Sequence, residues 1–97
     1  MRESLNEPIS VISTYNASLQ RFVPLQIGWS NQTYKLGKVD FYHKTRNGTT
    51  VLHHFSVADD QASIYFKLCF DASNLHWTLE EYMNATEARV HYESFAA

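Results

Sequence analysis

Between residues 33 and 82, apolar side chains recur at alternate positions through four runs: TYKLGKVDFYHK, TTVLHHFSVA, SIYFKLCF and LHWTLEEY. A period of two belongs to a strand with one face buried, because successive side chains on a strand point to opposite sides. The runs are separated by Arg46-Asn47-Gly48, Asp59-Asp60-Gln61 and Asp71-Ala72-Ser73-Asn74, residue types that reverse a chain sharply. The pattern therefore predicts consecutive antiparallel hairpins.

Upstream, residues 1–7 are polar and read as a loose end. Residues 8–15 alternate as an edge strand, with Pro8 tolerated at its first position. Val23, Leu25, Ile27 and Trp29 then recur at period two, and Pro24 leaves one side of that strand unpaired. Ser30-Asn31-Gln32 turns the chain into the long third strand. There the phase slips, from Tyr34 and Leu36 to Val39 and Phe41, with Gly37 at the break. A β-bulge at Gly37 absorbs the slip and bends the strand. At the far end Asn84 and Glu87 have capping-box spacing, and Ala85, Ala88, Tyr92, Phe95 and Ala96 follow a helical period. Val90 and Tyr92 keep a strand open as the alternative. The predicted fold is mainly β: a single strongly twisted antiparallel sheet of about six strands, curled into a small open barrel. Its domain covers residues 8–82, and residues 83–97 form a helical tail.

Register follows from the turns. A three-residue loop ending at Gly48 sets Val39 against Phe55, Phe41 against His53 and His43 against Val51, apolar facing apolar. The later hairpins put Phe55 and Val57 on one face with Ile64, Phe66, Leu68 and Phe70. They pair Leu68 with Trp77 and Phe66 with Leu79. The expected core is Val39, Phe41, Val51, Phe55, Val57, Ile64, Phe66, Leu68, Phe70, Leu75, Trp77 and Leu79.

A chain of 97 residues with 44% apolar and 19% charged residues makes one globular domain. Its net charge of −2 offers no basic excess for phosphates, so binding to nucleic acid is expected to be weak or indirect. The single cysteine, Cys69, excludes an internal disulfide and suits a reducing compartment. No run of about 18 apolar residues and no leader pattern occur, so a cytoplasmic protein without membrane contact is expected. Four Asn-x-Ser/Thr triplets fall at turns or strand ends, where these residues serve the turn itself.

Five histidines are the first candidates for chemistry: His43, His53, His54, His76 and His91. His53 and His54 face opposite ways on one strand, so they cannot share a metal. The register turns His53 inward as a neutral imidazole and places His54 opposite Asp40. Cys69 falls opposite His76 on the outer face. It sits mid-strand without a glycine-rich turn to form an oxyanion hole, so a small packing residue is the expectation. No C-x-x-C or H-x-x-x-H spacing is present, and no metal or other cofactor is expected. Glu80 and Glu81 alternate faces and form no carboxylate pair. The outer face instead presents Tyr42, Lys44, Leu52, Tyr65, Lys67 and His54, aromatics interleaved with cations. Such a face suits a protein partner or stacked bases.

Val23-Pro24-Leu25-Gln26-Ile27-Gly28-Trp29, then Asn31 and Tyr34-Lys35-Leu36, resembles the opening of a family of small uncharacterised bacterial domains. The run from Ala62 to Phe70, with Trp77-Thr78-Leu79, is similar to that family's closing hairpin. A similar module ends the inactive polymerase-like protein of bacterial mutagenic translesion machinery. The likeness covers residues 8–82. Ser30-Asn31-Gln32 stands where the family has an arginine- and glycine-rich turn, which removes the basic charge a DNA role would use. The resemblance implies a β domain accessory to DNA-repair or replication proteins. The expected function is a non-enzymatic protein-interaction module; the alternative is a binder of small ligands or single-stranded nucleic acid. Residues 9–15 form an apolar edge without a protecting lysine, so a homodimer through that edge or the C-terminal helix is also expected.

Overall fold

The computed structural model describes residues 3–84. Seven strands follow in order: β1 (Glu3–Pro8), β2 (Ser10–Asn16), β3 (Arg21–Trp29), β4 (Gln32–Asn47), β5 (Thr50–Asp59), β6 (Ile64–Asp71) and β7 (His76–Asn84). They form one antiparallel sheet in the order β1-β7-β6-β5-β4-β3-β2, curled into a half-barrel. The all-β expectation holds. The start of the chain does not stay loose, because β1 pairs with β7 and adds a seventh strand. The proposed tail begins inside β7, where Met83 is buried; the rest of the expected helix lies outside the described residues.

Strands β1 and β2 occupy opposite edges of the sheet, yet only Ile9 separates them. The chain therefore bends at Pro8 and Ile9 and draws the two edges together. Ile9 N–H still donates to Trp77 O of β7 at 3.2 Å. Trp29 Nε1–H of β3 donates to Glu7 Oε2 of β1 at 2.8 Å, a second tie across the open side. Inside the curve lie Ile27, Phe55, Val57, Phe66, Leu68, Phe70 and Leu79, all buried. Trp29 spans the interior, its ring centroid 4.7 Å from that of Tyr82 and 6.4 Å from that of Phe66.

Local turn chemistry explains most connections. Ser30 and Asn31 both have positive φ, 55° and 61°, and close β3 onto β4 as a two-residue turn in which Trp29 pairs with Gln32. Four-residue loops join β2 to β3, β5 to β6 and β6 to β7. Each carries a left-handed residue: Gln20, Ala62 and Leu75. Asp59 organises the second of these loops. Its Oδ1 accepts from Ser63 N–H at 2.6 Å and Ile64 N–H at 3.2 Å, and its Oδ2 accepts from the Ser63 hydroxyl at 2.6 Å. Burial pushes the Asp59 carboxyl pKa up, but these donors more than offset it and hold the pKa below the ordinary value.

Three corrections to the expected register come from where the turns close and from extra residues absorbed in bulges. The β4–β5 turn centres on Gly48 and Thr49, with Asn47 paired to Thr50 and Gly48 at φ 64°. Glycine takes the first central position, as a mirror-type hairpin turn requires. Register then shifts between Leu36 and Val39, at the expected Gly37 bulge, and again between Val39 and Phe41, where no slip is expected. Val39 pairs with Val57, Phe41 with Ser56 and Tyr42 with Phe55, so Tyr42 turns inward and Phe41 is 57% exposed. In β3, Ser13 pairs with Pro24 and Ile12 with Gln26, which leaves Leu25 as the extra residue and exposes it, while Pro24 and Ile27 are buried. In the last hairpin Phe70 pairs with Trp77 and Leu68 with Leu79. Leu75 occupies the left-handed loop position at φ 63° and is 69% exposed, outside the core.

Candidate functional site

The concave mouth and the convex face each gather polar chemistry. At the mouth, β4 brings Tyr42 beside His53 of β5, and Arg21 reaches over from the start of β3. The Arg21 guanidinium lies 3.8 Å from the Tyr42 ring centroid, a cation–π contact. Arg21 Nε is buried and has no hydrogen-bond partner among the described residues. The Tyr42 hydroxyl and His53 Nδ1 are 2.5 Å apart. Burial lowers the His53 pKa, and Lys44, Arg21 and His54 lower it further. Burial raises the Tyr42 pKa against the opposing pull of Arg21. The lowered His53 pKa favours a neutral imidazole and the raised Tyr42 pKa a protonated phenol. His53 turns inward, as the pattern predicts, but lies opposite Lys44 rather than Phe41.

Beside this trio opens a cavity of about 320 Å³, walled by Tyr15, Phe22, Phe55, Phe70 and Leu75, with Arg21, Gln20 and His53 supplying its polar groups. Phe22 stacks edge-on against Phe70 at 5.9 Å and against Tyr15 at 5.5 Å. No carboxylate lines the cavity among the described residues. Its character is apolar and positive.

The convex face carries a second cluster. His54 pairs with His43 across β4 and with Cys69 across β6. The expected partners of both residues change: His43, not Asp40, lies opposite His54, and Thr78, not His76, lies opposite Cys69. The two-residue offset of the last hairpin moves His76 to Asp71. The rings of His43 and His54 stack at 4.7 Å with 10° between planes. A further register shift between Lys67 and Leu68 makes Glu80 the extra residue of β7. Glu80 and Glu81 therefore point to the same side rather than alternating. His54 Nδ1 lies 3.1 Å from Glu80 Oε1, and Lys67 Nζ lies 3.0 Å from Glu81 Oε2. A shallow groove of about 460 Å³ runs past His43, His54, Lys67, Glu80 and Glu81. Burial pushes the Cys69 thiol pKa up to about 11, with Glu80 and Asp71 adding to the shift, so the uncomplexed thiol is a poor nucleophile.

The six residues expected to form one outer surface are thus divided. Leu52, His54, Tyr65 and Lys67 remain on the convex face, while Tyr42 and Lys44, paired with Phe55 and His53, belong to the concave side. Arg21 carries no sequence signal, since it stands alone at a strand start. Glu80 does carry one: Trp77, Leu79 and Tyr82 break phase across the Glu80-Glu81 doublet.

No protein-family model, curated protein or solved structure matches the chain. No helix among the described residues is long and apolar enough to cross a membrane.

Proposed function

We propose that this protein is a non-enzymatic binding module whose ligand seat is the mouth of the half-barrel. The ligand is a small anionic molecule with an aromatic or short aliphatic body. One observation carries the reading: a partly buried guanidinium with an unpartnered Nε borders an apolar cavity that no carboxylate lines. A buried donor without a partner is costly, roughly 1–3 kcal/mol, and an anion would satisfy it. The cavity volume, about 320 Å³, falls at the small end of the range for ligand sites, roughly 300–1,000 Å³.

The test is a fluorescence titration with 1-anilinonaphthalene-8-sulfonate, an aromatic sulfonate, followed by displacement with medium-chain carboxylates and their methyl esters. Carboxylates should displace the probe at least tenfold better than esters, and Arg21→Gln should erase that preference. Equal displacement by acid and ester would remove the anionic seat from consideration.

A protein-interaction role is the second reading. It is favoured by the apolar side chains Ile12, Tyr15, Leu19 and Leu25, all exposed on the β2–β3 hairpin. An association with DNA-repair or replication proteins rests on the family resemblance alone.

A further inference from the structure

We propose that His54, Cys69 and Glu80 bind one divalent metal ion of the zinc type on the convex face. This inference is independent of the ligand seat, which lies on the other side of the sheet. Three adjacent strands supply one ligand each: His54 from β5, Cys69 from β6 and Glu80 from β7. One ligand atom from each residue lies within 4.8 Å of the other two, and the His54 Nδ1 to Glu80 Oε1 separation is 3.1 Å. Bonds of about 2.0–2.3 Å in a tetrahedral site place ligand atoms roughly 3.3–3.8 Å apart. The remaining difference, about 1 Å, is within the reach of side-chain rotation.

The donor set selects the metal class. Thiolate, imidazole and carboxylate together suit a borderline-soft ion, and hard cations such as Mg²⁺ do not choose sulfur. A dication with one thiolate and one carboxylate is neutral overall, which a half-buried position tolerates. The ligands are also held in place. Thr45 Oγ1 lies 2.8 Å from His54 Nε2, an outer contact that fixes the ring and leaves Nδ1 toward Glu80. A neutral imidazole that binds the metal through Nδ1 carries its one proton on Nε2, which donates to Thr45 Oγ1, and the thiol proton leaves to solvent as the metal binds. Cys69 is fixed mid-strand and buried, and the β7 bulge gives Glu80 its aim. The groove beside His43 and Lys67 reaches His54 and Glu80, and a water from it would supply the fourth ligand.

Sequence spacing hides such a site because each ligand comes from a different strand, so no short motif exists. The bulge that recruits Glu80 is itself a register event.

The experiment uses the full chain, stripped of metal with a chelator and titrated with Zn²⁺ against a chromophoric competitor, then with Co²⁺ as a spectroscopic probe. The expected result is one ion per chain and a sulfur-to-cobalt charge-transfer band with the intense visible bands of four-coordination. Cys69→Ser should abolish the band and weaken Zn²⁺ binding at least ~100-fold, and Glu80→Gln should weaken it ~10-fold. His76→Ala, away from the cluster, should change neither readout. Glu80→Gln is isosteric and partly exposed, and circular dichroism of each variant establishes that it is folded. Failure of the folded wild type to bind stoichiometrically, or an affinity that Cys69→Ser leaves unchanged, overturns the proposal.

Discussion

Replacing two neighbours in β4, Phe41 and Tyr42, tests the architecture at its most specific point. The alternating pattern makes Phe41 a core residue, whereas the double bulge makes it 57% exposed and turns Tyr42 inward. Tyr42→Ala removes a tilted ring contact with Phe55 at 5.1 Å, worth about 1 kcal/mol. It also removes the stacked guanidinium of Arg21 at 3.8 Å, worth roughly 0.5–1 kcal/mol at a partly exposed site. The 2.5 Å hydrogen bond to His53 adds about 1 kcal/mol. The three share one ring and do not add strictly, so the expected loss is about 3 kcal/mol. For a chain of 97 residues that lowers Tm by roughly 12–24 °C. Phe41→Ala has no buried partner to lose and should stay within about 0.5 kcal/mol of wild type. Tyr42→Phe should keep the ring terms and lose about 1 kcal/mol. Urea unfolding gives all three from the shift in midpoint at constant m. If Phe41→Ala destabilises as much as Tyr42→Ala, the second bulge is wrong and the simple alternating register is right.

Asp59→Asn should lose about 1 kcal/mol at neutral pH, because three hydrogen bonds, two of them short, lose their charge-assisted acceptor. The Asp59 pKa is lower in the folded state, so its contribution is fully present above the ordinary carboxylate value and is lost as pH falls through the folded value. Acid unfolding curves should therefore be shallower for the variant in that window, and parallel curves would contradict the assignment. Gly48→Val places a β-branched side chain at φ 64° and should destabilise by about 1–2 kcal/mol by thermal melting, although nothing crowds the added Cβ. A neutral result would mean the turn centre lies elsewhere. The edge of β2, unpaired among the described residues, is expected to support a homodimer, with Ile12, 57% exposed, at its centre. Sedimentation should give twice the chain mass at micromolar concentration and the monomer for Ile12→Lys; a wild-type monomer at high concentration would dispose of it.

Strand identity was legible in the sequence because burial of one face imposes a period of two on each run separately. The turns at Ser30-Asn31, after Asp59 and after Asp71 were legible for the same local reason, as was the bulge at Gly37. Register was not. It depends on how many residues each strand absorbs in bulges, and a slip of one residue at Asp40 exchanges Phe41 for Tyr42 at no local cost a sequence pattern registers. The pairing of β1 with β7 was equally hidden, since residues 3–8 carry a single apolar anchor, Leu5, and their partner lies at the other end of the chain. Both clusters depend on these long-range choices. Arg21 meets Tyr42 only because the sheet curls, and His54, Cys69 and Glu80 converge only because three strands align side by side with a bulge between Lys67 and Leu68. Local side-chain chemistry set which segments became strands; the tertiary fold decided which residues face one another, because cross-strand partners are chosen by the burial of the whole sheet and not by any one strand.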